Sequence, residues 1–434
     1  MPRKPPAATN ADTAHLVTIG TTPSGVPSDV VEALIADLKP LRPAHLSVMA
    51  TGDSVDNAER LRAGLRLPKG KFRLVLLESH HSIDEAYSRA SEEIEALLDG
   101  GFDRRRIVLN YTAGTKAMSA GAVLAAVGAG IEGLRYLLPA PKGSAGASEA
   151  VHASTPAALV ARRRLDEATD FFFEQRFDKA AETAHSLDAS LLPPPARERR
   201  ELVEAFAVAY GAWDNFQVDT FLSEYERHEA RIPAKGRLKG LRLRPRAIEL
   251  LRPIARTGRE CVDFPPELIV DLFNNAVRRL REHRFDDALA RLYRAAELYA
   301  QAVIFKEYGL RTDRLDIRRV PPRRRAMFES LRRIDDATIK LGLRRSYELL
   351  ETLGHPLGTA FRENTSFQQV LEARRRLVLA HGTVPCPPKD ALDMARELSA
   401  FVEMTYPDFA KNAEAMQFPW ISNRTVLAEL SAGR

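Results

Sequence analysis

Short apolar runs alternate with helical patterns through the first third of this 434-residue chain, and after residue 156 the alternation stops. The runs lie at 16–19, 45–49, 72–77, 106–109 and 134–138, with helical periodicity between them at 27–38 and 82–98. Strands separated by helices pair in parallel through right-handed crossovers, which restricts this part to an α/β Rossmann-like fold. A loop rich in Gly, Ser, Ala and Lys at 141–148 precedes one more short segment, 150–152. Long helical patterns follow. The expected organisation is a polar, proline-rich and disordered start (1–13), an α/β Rossmann-like domain (14–155), an all-α helical spacer (156–262) and a second all-α domain (263–434).

In parallel sheets of this kind, ligands sit beyond the carboxyl ends of the strands. Gly20-Thr21-Thr22, Thr51 and the stretch NYTAGTKAM from Asn110 to Met118 all fall there. A strand, a tight turn at Gly114 and a helix starting near Thr115 expose backbone N–H groups to an anion, and Thr112, Thr115 and Lys116 add hydroxyls and a positive charge. An ordinary strand-to-helix turn is the alternative. A nucleoside-triphosphate P-loop is disfavoured, because its first glycine would fall at Leu109. Hydroxyls and glycines without carboxylates suit a phosphate-bearing ligand rather than a metal.

Near the C-terminus, TSFQQVLEARRRLVLAHG (365–382) reads as one helix. Thr365 and Gln368 form a capping box, and Gly382 with Pro385, Pro387 and Pro388 ends the pattern. Phe367, Leu371, Arg374, Val378 and His381 share one seam, whereas Arg376 projects about 140° away from His381. Two readings follow. In one, His381 is a C-terminal cap favoured by the helix dipole and Arg374 to Arg376 are solvated. In the other, His381 moves a proton near neutral pH and Arg374 holds a phosphate, as an RNA-cleaving pair.

The net charge is +6, permissive for nucleic acid, and the cations cluster at 235–246 and 318–325, either as solvated loops or as phosphate contacts. Residues 174–180 (EQRFDKA) and 282–288 (EHRFDDA) echo each other as helix–turn–helix segments, but two copies read as a spacer rather than a solenoid. Cys261 and Cys386 are the only cysteines, no ligand cluster implies a metal, and no apolar run is long enough to span a membrane. A cytoplasmic location is expected.

An arginine, four to six residues and then a histidine resembles the signature of HEPN ribonucleases, and LVLAHG with its upstream arginines resembles the CARF–HEPN proteins of type III CRISPR systems. Arg375 stands where that branch usually has asparagine. NYTAGTKAM resembles the CARF ligand motif D-x-TGGTK-x-M, with Asn110 for the aspartate and Ala113 for the first paired glycine. The segment 271–310 resembles the first helices of the same branch. The resemblance implies a CARF sensor, then a HEPN ribonuclease, with Arg374 and His381 catalytic and Arg375, Arg376 and Glu297 in support. It implies activator contacts from Gly20, Thr21, Thr22, Thr51, Asn110, Thr112, Ala113, Gly114, Thr115, Lys116 and Met118. The implied activator is a cyclic oligoadenylate, with cyclic tetra-adenylate favoured and cyclic hexa-adenylate as the alternative. The implied substrate is single-stranded RNA, cut without a metal by a homodimer, with neither DNA nor a membrane as partner. Rival classes are a catalytically silent sensor, a ligand-responsive regulator, and an enzyme acting on its own activator.

Overall fold

The computed structural model describes residues 13–21, 29–137, 150–152, 156–257, 265–334, 337–373, 376–378 and 382–432. The chain divides into two compact units: 1–170 with 183–200, and 171–182 with 201–434. Of the residues expected as a helical spacer, 156–170 and 183–200 fall in the first unit and the rest in the second.

The first unit is built on a six-stranded sheet. Its elements are β1 (Ala14–Ile19), α1 (Asp29–Leu38), β2 (His45–Thr51), α2 (Val55–Gly64), β3 (Phe72–Leu77), α3 (Ile83–Asp99), β4 (Ile107–Ala113), α4 (Lys116–Gly128), β5 (Gly133–Leu137) and β6 (Ala150–His152). The strand order is β3-β2-β1-β4-β5-β6. β1 to β5 run parallel, and β6 pairs antiparallel with β5. This order reverses between β1 and β4, the switch point where such sheets open a crevice. Helix periodicity explains the layers. Ala86, Ala90, Ile94 and Leu97 of α3 recur at three- and four-residue spacing and bury one sheet face together with the small side chains of α4. Val31, Leu34 and Leu38 of α1 do the same on the other face, with Ala58 and Leu61 of α2.

From residue 156 onward the long elements among the described residues are helices: α5 (Pro156–Phe173), α6 (Phe177–His185), α7 (Pro194–Asp214), α8 (Val218–His228), α9 (Pro245–Ala255), α10 (Glu267–Arg281), α11 (Phe285–Tyr308), α12 (Pro322–Glu329), α13 (Leu343–Thr352), α14 (Pro356–Glu363), α15 (Thr365–Ala373), α16 (Pro388–Glu403), α17 (Phe409–Met416) and α18 (Asn423–Ser431). The two echoed segments share a turn geometry with a further hairpin, α7–α8, whose sequence does not echo them. Gln175, Phe216 and His283 each take positive φ, at 66°, 62° and 57°. At each turn the N–H of that residue reaches the carbonyl three back, and the next N–H reaches five back: Gln175 to Phe172 and Arg176 to Phe171, Phe216 to Trp213 and Gln217 to Ala212, His283 to Leu280 and Arg284 to Arg279. This is one helix C-cap motif repeated, closing the hairpins α5–α6, α7–α8 and α10–α11.

Candidate functional site

The crevice end of the sheet is set by backbone register. β4 runs through Ala113, so Asn110, Thr112 and Ala113 belong to the strand rather than to a loop. β1 and β4 slip register between Val17 and Ile19, and the Gly20 N–H then reaches the Ala113 carbonyl at 2.7 Å. Gly114 has no room for a side chain: a Cβ there would lie 2.6 Å from Thr18 Oγ1. Thr115 caps α4, accepting from the Met118 N–H at 3.2 Å, while its hydroxyl donates to the His80 carbonyl at 2.5 Å. Lys116, the first residue of α4, is exposed and makes no ion pair among the described residues. Thr21 is exposed and Gly20 half-buried.

Other expected contacts serve the fold. Met118 is fully buried in the core beneath α4. Asn110 is fully buried, and its Oδ1 accepts from the Thr112 N–H at 3.1 Å and hydroxyl at 2.6 Å. Thr112 Oγ1 in turn accepts from the Leu137 N–H at 2.9 Å. Thr51 is buried, its N–H donating to Ser54 Oγ at 2.9 Å. Met118, Asn110 and Thr51 are thus buried and engaged by the fold itself, with Asn110 Nδ2 left without a partner among the described residues. Thr22 lies outside the described residues.

Below this end, His15 is buried in β1, 2% exposed, with its Nε2 3.2 Å from the Thr13 hydroxyl. Burial, reinforced by the nearby Arg135 guanidinium and opposed by Asp37, pushes its pKa down to about 4. Arg135 and Asp37 form a bidentate pair beside it.

In the helical unit, α15 ends at Ala373, so the single helix expected over 365–382 is not formed. Its N-cap is Asn364, whose Oδ1 accepts from the Phe367 N–H at 2.9 Å, and not Thr365. Gln368 instead turns its amide back to the Phe361 and Arg362 carbonyls. Beyond Ala373 the backbone folds on itself. The Val384 N–H donates to the Arg376 carbonyl at 3.1 Å, the Val378 N–H to the Val384 carbonyl at 3.0 Å, and the Gly382 N–H to the Leu377 carbonyl at 3.0 Å. Gly382 passes so close that a Cβ would fall 2.0 Å from the Arg376 carbonyl oxygen. Helical spacing therefore does not run through 376–378, and in sequence Arg374, Arg375 and Arg376 all keep the required spacing to the histidine. Arg374, Arg375 and His381 lie outside the described residues, and Arg376 is exposed. Glu297 pairs with Arg294 at 2.6 Å on its own helix.

The two basic stretches are largely structural. Arg244 and Arg246 reach Glu414 O and Asn412 Oδ1, Arg319 covers the C-terminal carbonyls of α11, and Arg325 holds the Val320 carbonyl at 2.8 Å. Arg323 and Arg324 stay exposed.

Sequence reasoning missed a polar cluster at the heart of this unit. Arg278 is fully buried. Its Nε donates to Asp214 Oδ1 at 2.7 Å, its Nη1 to Gln417 Oε1 at 3.0 Å, and its guanidinium lies 4.1 Å from the Phe418 ring centre. Arg279 joins the same carboxylate at 2.5 Å. Asn275 Nδ2 donates to the Asp214 carbonyl, and Arg291 Nε donates to Asn275 Oδ1. Asp271 accepts from Trp213 Nε1 at 2.8 Å, and burial raises its pKa to about 6 despite the opposing charge of Arg278. The one sequence signal was the run NN..RR on a strongly periodic helix, where polar residues occupy apolar positions. Among the described residues no three His, Cys, Asp or Glu side chains converge as a metal site, and no helix is long and apolar enough to cross a membrane.

Comparison with known proteins follows this division. Residues 260–405 match the family model of the Csm6 HEPN domain. The fold matches that of Enterococcus italicus Csm6, solved bound to cyclic hexa-2'-fluoro-hexa-dAMP, at a TM-score of 0.52 and 10% identity, covering 97% of this chain and 100% of that one. The chain has no match among curated proteins. The helical part thus carries a Csm6-type HEPN domain over residues 260–405, and the Rossmann-like sheet precedes it in an arrangement whose fold is that of Csm6.

Proposed function

We propose that this protein is a cyclic-oligoadenylate-activated endoribonuclease that cuts single-stranded RNA without a metal in type III CRISPR defence. The observation that carries the reading is the Csm6 HEPN match over 260–405, which encloses the arginines at 374–376 and His381. The parallel sheet before it offers an anion site at its switch point, and the Csm6 of matching fold was solved with a cyclic hexanucleotide. Cleavage by this residue set uses the ribose 2′-hydroxyl as nucleophile. His381 moves the proton, and an arginine stabilises the charge developing on phosphorus. The P–O5′ bond breaks, leaving a 2′,3′-cyclic phosphate and a 5′-hydroxyl. One histidine per chain is too few for both proton transfers, so a two-fold dimer supplies the second. At the sensor end, Lys116, Thr21 and the N–H groups at the start of α4 meet the activator's phosphates. Cyclic tetra-adenylate is the expected ring, with cyclic hexa-adenylate as the competitor, in the cytoplasm.

The test is incubation of the pure protein with labelled single-stranded RNA, with chelator, and with either ring. Activator-dependent cutting by the wild type and none by His381→Ala, with activator binding retained, is the expected result. Binding of a ring with no cutting by the wild type would make it a silent sensor, a reading favoured by Arg375 in place of asparagine. Loss of activity in chelator would overturn the metal-free chemistry.

A further inference from the structure

The three repeated hairpin turns open onto one cleft of about 710 Å³ in the helical unit. We propose that this cleft holds a stretch of the RNA strand outside the scissile bond, a subsite that rests on the ribonuclease reading above.

Charge is the first argument. The carboxylates in the cleft wall, Asp214 and Glu282, are engaged by arginines: Asp214 by Arg278 and Arg279, and Glu282 by Arg279 at 3.1 Å. On the exposed rim Arg176 pairs with Glu174, Lys179 with Glu182 at 2.8 Å, and Arg284 with Asp287. Arg281 makes no ion pair among the described residues. A free guanidinium beside a neutralised wall is a phosphate contact in search of a phosphate.

The wall also leaves two polar atoms without a partner among the described residues: Gln175 Oε1, an acceptor, and Arg279 Nε, a donor. Both side chains are more than nine-tenths buried. No exposed aromatic lines the cleft, so the contact is to the backbone and tolerates any sequence.

Continuity with the cleavage loop favours RNA over an acidic peptide. The third turn runs straight into α11, whose second residue, Asp286, accepts the Cys386 N–H with both carboxylate oxygens at 3.1 Å. Cys386 closes the loop that folds back through Gly382 and carries His381. One clamp thus ties the cleft edge to the segment bearing the cleavage residues.

The experiment measures binding of a non-cleavable 2′-O-methyl RNA by anisotropy, and cleavage of a long and of a minimal RNA at saturating activator, for the wild type, Arg281→Glu, Arg281→Lys and the remote control Lys411→Glu. Arg281→Glu should weaken long-RNA binding and raise KM roughly tenfold, with kcat kept and the minimal RNA unaffected. The slope of log affinity against log salt should fall by about 0.7, one single-strand phosphate contact. Arg281→Lys should restore most of the affinity and Lys411→Glu should match the wild type. Unchanged binding in Arg281→Glu, or equal loss on long and minimal RNA, overturns the subsite. RNA binding that depends on Arg281 in a wild type that cuts nothing would keep the subsite and sink the nuclease reading instead. Preference for an acidic peptide over RNA would also overturn it.

Discussion

The sheet unit and the helical unit place their polar groups by different means. At the sheet's carboxyl end the groups are positioned by backbone register: Gly20 on Ala113, Thr115 capping α4, Lys116 exposed at the first helical residue. In the helical unit they are positioned by side-chain partners far apart in the chain, such as Asp214 with Arg278 and Asn274 with Asn423. Backbone placement tolerates loss of one side chain. A buried network does not, because each group lost leaves another without its partner.

Asp214→Ala tests that contrast most severely. It strands Arg278, which is fully buried, and Arg279 without their shared carboxylate. Breaking a buried pair from one side costs about 3–5 kcal/mol. Both tryptophans, Trp213 and Trp420, belong to the helical unit, so their fluorescence in a urea titration of the full chain reports this unit. A midpoint close to wild type would mean that water replaces the carboxylate and that the network is not closed.

The two units should also answer pH in opposite senses. His15 is held neutral in the fold with a pKa of about 4, below its ordinary 6.5. Between those values the unfolded chain binds more protons, so the sheet unit keeps its full stability above pH 6.5 and loses it as pH falls toward 4. The loss approaches about 3 kcal/mol. Asp271, raised from 3.8 to about 6, works the other way: the folded helical unit binds more protons in that window and gains stability as pH falls through it. Hydrogen exchange of the β1 amides, corrected for intrinsic rates, and tryptophan fluorescence should separate the two trends. Parallel trends in both units would break the comparison. His15→Leu should flatten the first alone.

The same contrast explains what could be read in advance. The five strands and the start of α4 near Thr115 follow from short apolar runs and from glycine positions, which are local properties. The end of α15 was not legible, because helical periodicity continues past Ala373 while a non-local pairing of 376–378 with 382–384 overrides it. Nor was the Asn364 cap, since Thr365 offers the same chemistry one residue later. The Phe216 turn shares backbone angles with the other two but almost no letters, because what recurs is a C-cap geometry and not a side-chain pattern.

Lys116→Ala should sharpen the sensor side. The helix start and the Gly20 and Gly114 backbone remain, so an anion site persists with one charge-assisted contact fewer, worth roughly 1.5–3 kcal/mol. Cyclic-oligoadenylate affinity measured by calorimetry should drop on the order of ten- to a hundred-fold, and saturating activator should restore most of the cleavage rate. Unchanged affinity in a folded variant would show the ligand to lie elsewhere and the turn to be only a turn.

The smallest effect expected comes from the repeated turn. Phe216 holds φ at 62° with its ring 39% exposed, so it carries left-handed strain and buries little in return. Glycine relieves strain worth about 1–2 kcal/mol in that region, offset by its greater freedom in the unfolded chain. Phe216→Gly should therefore raise the urea midpoint of the helical unit by a modest amount, about 1 kcal/mol or less. Position 283 offers the same exchange at φ 57°, in a turn whose neighbours Arg279 and Arg284 are held by carboxylates. A gain at both positions would show that the hairpins are held by the cap geometry itself. A loss at Phe216 alone would mean that the half-exposed ring contributes packing greater than its strain, and that the three turns are alike in backbone but not in energy.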